Sequence, residues 1–184
     1  MIFKHAAVQL GLIILLLSLF GATDTWYLVT GFGLASVLNI VVAAVAGAIT
    51  TTLVHEWFHF LGARLAGASY SVPTALGLFV YDFDYQANSL RQFNVMSVSG
   101  QLGSWLTVLA LWSALPMDTP GRVMLVSGAV TSALFAGFVE LPVLRRAQRS
   151  GDPLAELSKI DQKVLARSGF TALVGGFLLW SLAG

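Results

Sequence analysis

The sequence predicts an all-α integral membrane protein of about five transmembrane helices, with a short β-hairpin or re-entrant segment between the second and third. Three observations lead there. Hydrophobic residues make up 57% of the 184 positions and charged residues only 10%, and the mean hydropathy is +0.80, too apolar for a water-soluble fold. Five apolar runs reach or nearly reach the roughly 20 residues that span a bilayer core at about 1.5 Å per helical residue. When the sides of the membrane are alternated along the chain, the basic residues gather on one of them. Residues 1–184 therefore read as a single integral membrane domain.

The first helix is placed near Phe3 to Phe20. Lys4 ahead of its apolar run gives it the look of a signal peptide, but four further apolar runs follow, so it reads as a retained membrane helix. The second, near Gly31 to Leu65, is too long for one perpendicular crossing; it is expected to tilt, to bend at Ala46, Gly47 and Ala48, or to begin at the interface around Trp26 and Tyr27. The stretch from Ala68 to Ser89 is interrupted by Pro73 and Gly77. Within it Leu78, Val80, Asp82 and Asp84 alternate with Phe79, Tyr81, Phe83 and Tyr85, a period of two that suggests one or two short strands. An interfacial or re-entrant loop anchored by its aromatics is the other reading. The remaining helices fall near Gln92 to Leu115, Gly121 to Leu141 and Val164 to Leu182.

With the N-terminus cytoplasmic, Lys4, Arg64, Arg91, Arg145, Arg146, Arg149, Lys159, Lys163 and Arg167 share one face, leaving only Arg122 on the other. This follows the positive-inside rule and puts the C-terminus outside. A bacterial or archaeal cytoplasmic membrane suits such a compact chain. A formal net charge of +1 offers no field for polyanions, so nucleic acid is excluded as a partner. The absence of cysteine rules out disulfides and thiolate metal sites, so any metal must be held by His, Asp or Glu.

The chemistry concentrates in His55-Glu56-Trp57-Phe58-His59. Histidines four apart on a helix leave the same face and can grip one metal ion, which with this ligand type is Zn²⁺. Glu56, about 100° around the helix from His55, is positioned as general base toward water activated at the metal. With three His and three Glu in the chain, an accidental HExxH pattern is expected on the order of one time in a thousand. Three ionisable groups within five intramembrane residues are also costly without a role.

A catalytic zinc site needs a third protein ligand. His5 begins the first helix and reads as a surface residue, which leaves carboxylates. Asp152 lies in a break, Arg149-Ser150-Gly151-Asp152-Pro153, that can fold back toward the metal; its alternative is a solvated loop or helix cap. Glu140 sits near the end of the fourth helix before Pro142, and its alternative is an ion pair with Arg145 or Arg146.

The arrangement resembles the site-2 protease family of intramembrane zinc metalloproteases, in which HExxH followed four residues later by alanine lies on a membrane helix; here this is His55, Glu56, His59 and Ala63. Ser99-Gly100-Gln101-Leu102-Gly103-Ser104 is similar to that family's glycine-proline motif leading to asparagine. Val139-Glu140-Leu141-Pro142 and Ser150-Gly151-Asp152-Pro153 stand where the family carries asparagine-leucine-leucine-proline and aspartate-glycine. The resemblance covers roughly Thr50 to Glu156. It departs at Phe58, usually glycine, at Gln101 for proline, at Ser104 and Glu140 for asparagine, and at Pro153 for glycine. By position it implies Asp152 as the third ligand, with Glu140 in reserve, and Gln101, Ser104 and Asn94 as candidates for polarising the scissile carbonyl.

The expected activity is then hydrolysis of peptide bonds in a membrane-spanning protein substrate near the cytoplasmic face. His59 lies about eight residues from Gly67, placing the metal roughly 10 Å inside the boundary. Thr50, Thr51, Thr52, Asn94 and Ser97 are expected to give water a polar path. Leu78 and Val80 are the candidates for an edge strand that holds extended substrate by strand addition. Recognition is assigned to the helices, to Ala68–Ser89 or to a partner protein. Two other classes remain open: a zinc hydrolase acting on lipid amides or esters, and a non-catalytic metal-binding membrane scaffold.

Overall fold

The computed structural model describes residues 1–183. The elements are α1 (Ile2–Thr30), α2 (Gly33–Leu65), β1 (Tyr70–Ser71), β2 (Asp82–Phe83), α3 (Leu90–Ala114), α4 (Pro120–Ser150), α5 (Pro153–Leu157) and α6 (Gln162–Ala183). Five of the helices, α1, α2, α3, α4 and α6, are long and apolar enough to cross a membrane. α2 is central and packs against α1, α3 and α4, while α6 packs on the outside of α4. Large apolar side chains such as Phe3, Val29, Leu109, Phe170 and Leu182 face outward, as a bilayer requires of them.

Two helices run further than their apolar runs. α1 continues ten residues past Phe20 because its one acidic residue is paired. Asp24 accepts from Asn39 Nδ2 at 3.1 Å, Thr119 Oγ1 at 2.9 Å and Arg122 Nε at 2.8 Å, and Arg122 also reaches Asp118. A buried carboxylate so satisfied does not end a membrane helix. α1 stops only at Gly31, whose φ of 63° places it in the left-handed region and whose N–H caps the Tyr27 carbonyl. The network ties α1, α2 and α4 together at the end of the bundle away from His55. Asp24→Asn removes the charge opposite Arg122 while keeping the shape, and should lower stability by about 1.5–3 kcal/mol, read as a fall in the denaturant midpoint of the detergent-solubilised protein.

α4 is the second such helix. Pro142 was expected to close it near Leu141, yet the helix runs through the proline to Ser150, ending at Gly151 with φ 77°. Proline costs one intrahelical bond, and within a packed membrane bundle neighbouring groups tolerate that cost. Nor is α2 interrupted at Ala46–Ala48. It is one unbroken helix, and Gly47 serves close packing: a Cβ there would strike the Leu125 carbonyl of α4, and one on Gly128 would strike the Ala44 carbonyl of α2.

Between α2 and α3, β1 pairs antiparallel with β2, Tyr70 opposite Phe83 and Ser71 opposite Asp82. This is the small sheet expected there, but Leu78 and Val80 lie outside it and are not an open edge. Val80 is fully buried in a core with Phe60, Ala63, Tyr81 and Phe93, and the Leu78 carbonyl is taken by Gln9 Nε2 at 3.1 Å. Gln9 also donates to the Gly77 carbonyl, accepts from Trp57 Nε1, and is joined by His5, whose Nε2 lies 3.1 Å from the Pro73 carbonyl. His5 is thus neither a surface residue nor a ligand: it is 1% exposed and fastens the start of α1 to the 66–89 segment.

Candidate metal centre

α2, α3 and α4 converge on one polar cluster in the apolar bundle. His55 and His59, one turn apart on α2, have ring centroids 4.3 Å apart. Their Nε2 atoms lie 2.8 and 3.2 Å from the same oxygen, Glu140 Oε1. One ligand atom from each of the three residues falls within 4.8 Å of the others, so the group could hold a metal ion. Two imidazoles and a carboxylate, leaving a fourth position open, form the donor set of a catalytic zinc site.

Asp152, the preferred third ligand, lies elsewhere. Its side chain accepts from the Ala155 N–H at 3.0 Å as the N-cap of α5, and it is exposed. Proline at the first position of α5 leaves the cap an ordinary one, so the helix-cap alternative describes this residue. Glu140 takes the third place because α4 continues as a helix past it and carries its carboxylate inward beside α2.

α3 supplies the frame through residues spaced along one face. Ser104 Oγ lies 2.9 Å from His55 Nδ1, and Gln101 Nε2 donates to Glu140 Oε2 at 2.9 Å. The Met96 carbonyl lies 2.9 Å from His59 Nδ1; a carbonyl can only accept, so Nδ1 carries a proton there, and Nε2, facing Glu140 Oε1, is the atom that would ligate a metal. A Cβ on Gly100 would run into the His59 ring, and one on Gly103 into Phe58. The small residues of Ser99–Ser104 are therefore the floor under the histidine helix. Gly103 also makes room for the bulky Phe58.

This corrects the expected roles of Gln101 and Ser104. Both hold metal-ligand candidates in orientation, Ser104 against His55 and Gln101 against Glu140. Asn94 does not line the cavity beside the cluster, and its Oδ1 is buried without a hydrogen-bond partner. For a divalent metal titrated into this group, Ser104→Ala or Gln101→Leu should weaken binding by about 10- to 100-fold with unchanged helix content, as measured by competition against a graded chelator.

A cavity of about 330 Å³ opens beside the cluster, and Glu56, His59 and Glu140 reach it together with Ser97. Phe79, Tyr81, Phe83 and Tyr85, the aromatics that alternate in sequence, all line it. Burial, foremost, and the nearby carboxylates Glu56 and Glu140 push the phenols of Tyr81 and Tyr85 above their ordinary value. They stay protonated at neutral pH and are O–H donors. Sequence reasoning missed them as site residues, although the period-two aromatic pattern marked them as one face. Of the expected polar path, Ser97 lines the cavity, whereas Thr52 is bonded to the Ala48 carbonyl and Ser132, and Thr50 and Thr51 are buried in the packing of α2.

No protein-family model matches the chain, and no curated protein or solved structure matches it.

Proposed function

We propose that this chain is an intramembrane zinc hydrolase with His55, His59 and Glu140 as ligands and Glu56 as general base, and that its reaction is cleavage of a peptide bond in a membrane-spanning substrate. The observation that carries the reading is the meeting of His55 Nε2, His59 Nε2 and Glu140 Oε1, each residue oriented by a partner on α3, next to a cavity that Glu56 also lines. Each histidine and the carboxylate has its other polar atom engaged, as metal ligands characteristically do. This argues for a site built to receive an ion.

Zinc bound there would supply a Lewis acid that brings the pKa of water toward about 7. Glu56 takes the proton that water gives up and returns it to the nitrogen of the departing amine, so that water is added across the broken C–N bond. Tyr81 and Tyr85 line the cavity, and their O–H groups replace Gln101 and Ser104 in this reading as the groups for carbonyl polarisation. The apolar and aromatic lining admits a hydrophobic segment and limits bulk water.

Membership of the site-2 protease family belongs to this proposal. The HExxH helix and the glycine-bearing third helix support it, with Glu140 in the role that family gives to a later aspartate. So does a location in a prokaryotic cytoplasmic membrane with a cytoplasmic N-terminus, which rests on the distribution of basic residues.

The test is to purify the chain, measure zinc per protein, and incubate it in parallel with membrane-spanning peptides and with lipid amides and esters. About one zinc per chain and release of peptide fragments, abolished by chelation and restored by zinc, is the expected result. Cleavage confined to lipid would keep the zinc chemistry and overturn the substrate class.

A further inference from the structure

A second and larger cavity, of about 580 Å³, lies between the C-terminal part of α4, the α5–α6 connection and the first turns of α6, and it shares Val139 and Ile160 with the cavity at the metal centre. Its walls are of two kinds. Phe138, Pro142 and Val164 are apolar, whereas Arg146, Lys159 and Arg167 are cations, with the hydroxyls of Ser168 and Thr171 beside them. Among the described residues the one carboxylate in ion-pair contact with these cations is Glu156, which accepts from Arg146 Nε at 2.9 Å and Lys159 Nζ at 2.7 Å. It is itself buried, and it holds both cations at the cavity while cancelling one charge of three. Among the described residues Arg167 forms no ion pair.

We infer that this cavity is a binding site for an anionic phospholipid, whose phosphodiester rests on Arg146, Lys159 and Arg167 and whose acyl chains follow Phe138 and Val164 out between α4 and α6 into the bilayer. Charge complementarity selects an anion: two positive charges remain after Glu156 is counted. Amphiphilicity selects a lipid over a free anion, because the cationic wall passes directly into outward-facing apolar surface, with Phe138 41%, Val164 39% and Phe170 70% exposed. Basic pockets between membrane helices take lipid headgroups for this reason. A topology signal requires only that basic residues lie on one side of the membrane; Arg145, Arg149 and Lys163 meet that need without lining the cavity.

The experiment uses the full chain in detergent, exchanged with phosphatidylglycerol or phosphatidylcholine and examined by native mass spectrometry for retained lipid. Zinc content and helix content confirm that each variant is folded. A basic residue at a membrane surface is worth about 1 kcal/mol, or roughly fivefold. Phosphatidylglycerol should therefore be retained in preference to phosphatidylcholine, Arg167→Gln should cut that retention about fivefold, and Lys163→Gln, an equal loss of charge outside the cavity, should leave it unchanged. Equal retention of the two lipids would overturn the inference. So would equal losses in the two variants, or displacement of phosphatidylglycerol by inorganic phosphate at matched concentration.

Discussion

Glu140→Ala should strip zinc from the purified protein, whereas Asp152→Ala should leave it bound. Glu140 is the only carboxylate grouped with both histidines among the described residues, and removing one of the three proposed ligands should weaken binding by more than the 10- to 100-fold expected for the partners that merely orient them. The size of the loss comes from two sources. The metal forfeits a ligand, and His55 and His59 forfeit the carboxylate oxygen 2.8 and 3.2 Å away that holds their Nε2 atoms together. Asp152 is exposed and caps a helix of five residues, so its loss should cost about 1 kcal/mol locally and no zinc. Zinc stoichiometry after gel filtration reads both variants. Retention in Glu140→Ala together with loss in Asp152→Ala would mean that the chain closes around the metal in another arrangement.

Glu56→Gln should behave in the opposite way, keeping zinc while losing turnover by about 10²- to 10⁴-fold, the usual contribution of a positioned general base. Glu56 borders the cavity but is not in the ligand group. Glutamine keeps its size and its capacity to accept a hydrogen bond and removes only the ability to take a proton. The variant therefore separates hydrolase from scaffold: a scaffold would perform alike in both forms. A rate in Glu56→Gln within about tenfold of the unmodified protein, with zinc at one per chain in both, would reassign the base.

Much of this architecture is legible in the residues because bilayer physics is coarse. Five apolar runs, a positive face and a proline- and glycine-broken segment suffice to place the helices and the small sheet. The HExxH pair is legible because its geometry is local, one helical turn within one helix. The third ligand is not local. Glu140 and Asp152 are both carboxylates near the end of α4, and choosing between them depends on whether Pro142 terminates that helix. The positional match to the site-2 protease family pointed to Asp152, and packing inside the bundle decided for Glu140. Gln101 and Ser104 are a similar case. Their polarity stood out, but whether a polar side chain faces substrate or a neighbouring ligand depends on how α3 is rotated against α2, which Gly100 and Gly103 set through contacts with His59 and Phe58. Val80 was read from its alternation as the rung of an open strand, and the same alternation turned it into the core.

The polar residues of α1 have a consequence for how the chain is made. His5, Gln9 and Asp24 find their partners at Pro73, Gly77, Leu78, Asn39, Thr119 and Arg122, all of which leave the ribosome later. The first helix must enter the bilayer with three buried polar groups unmatched, and the last of them is answered only when the fourth helix arrives. During synthesis α1 is therefore a provisional passenger, soluble in lipid on average but not yet docked. A chain halted before residue 119 would carry Asp24 without Thr119 or Arg122, a carboxylate in the bilayer with Asn39 as its one partner from another helix.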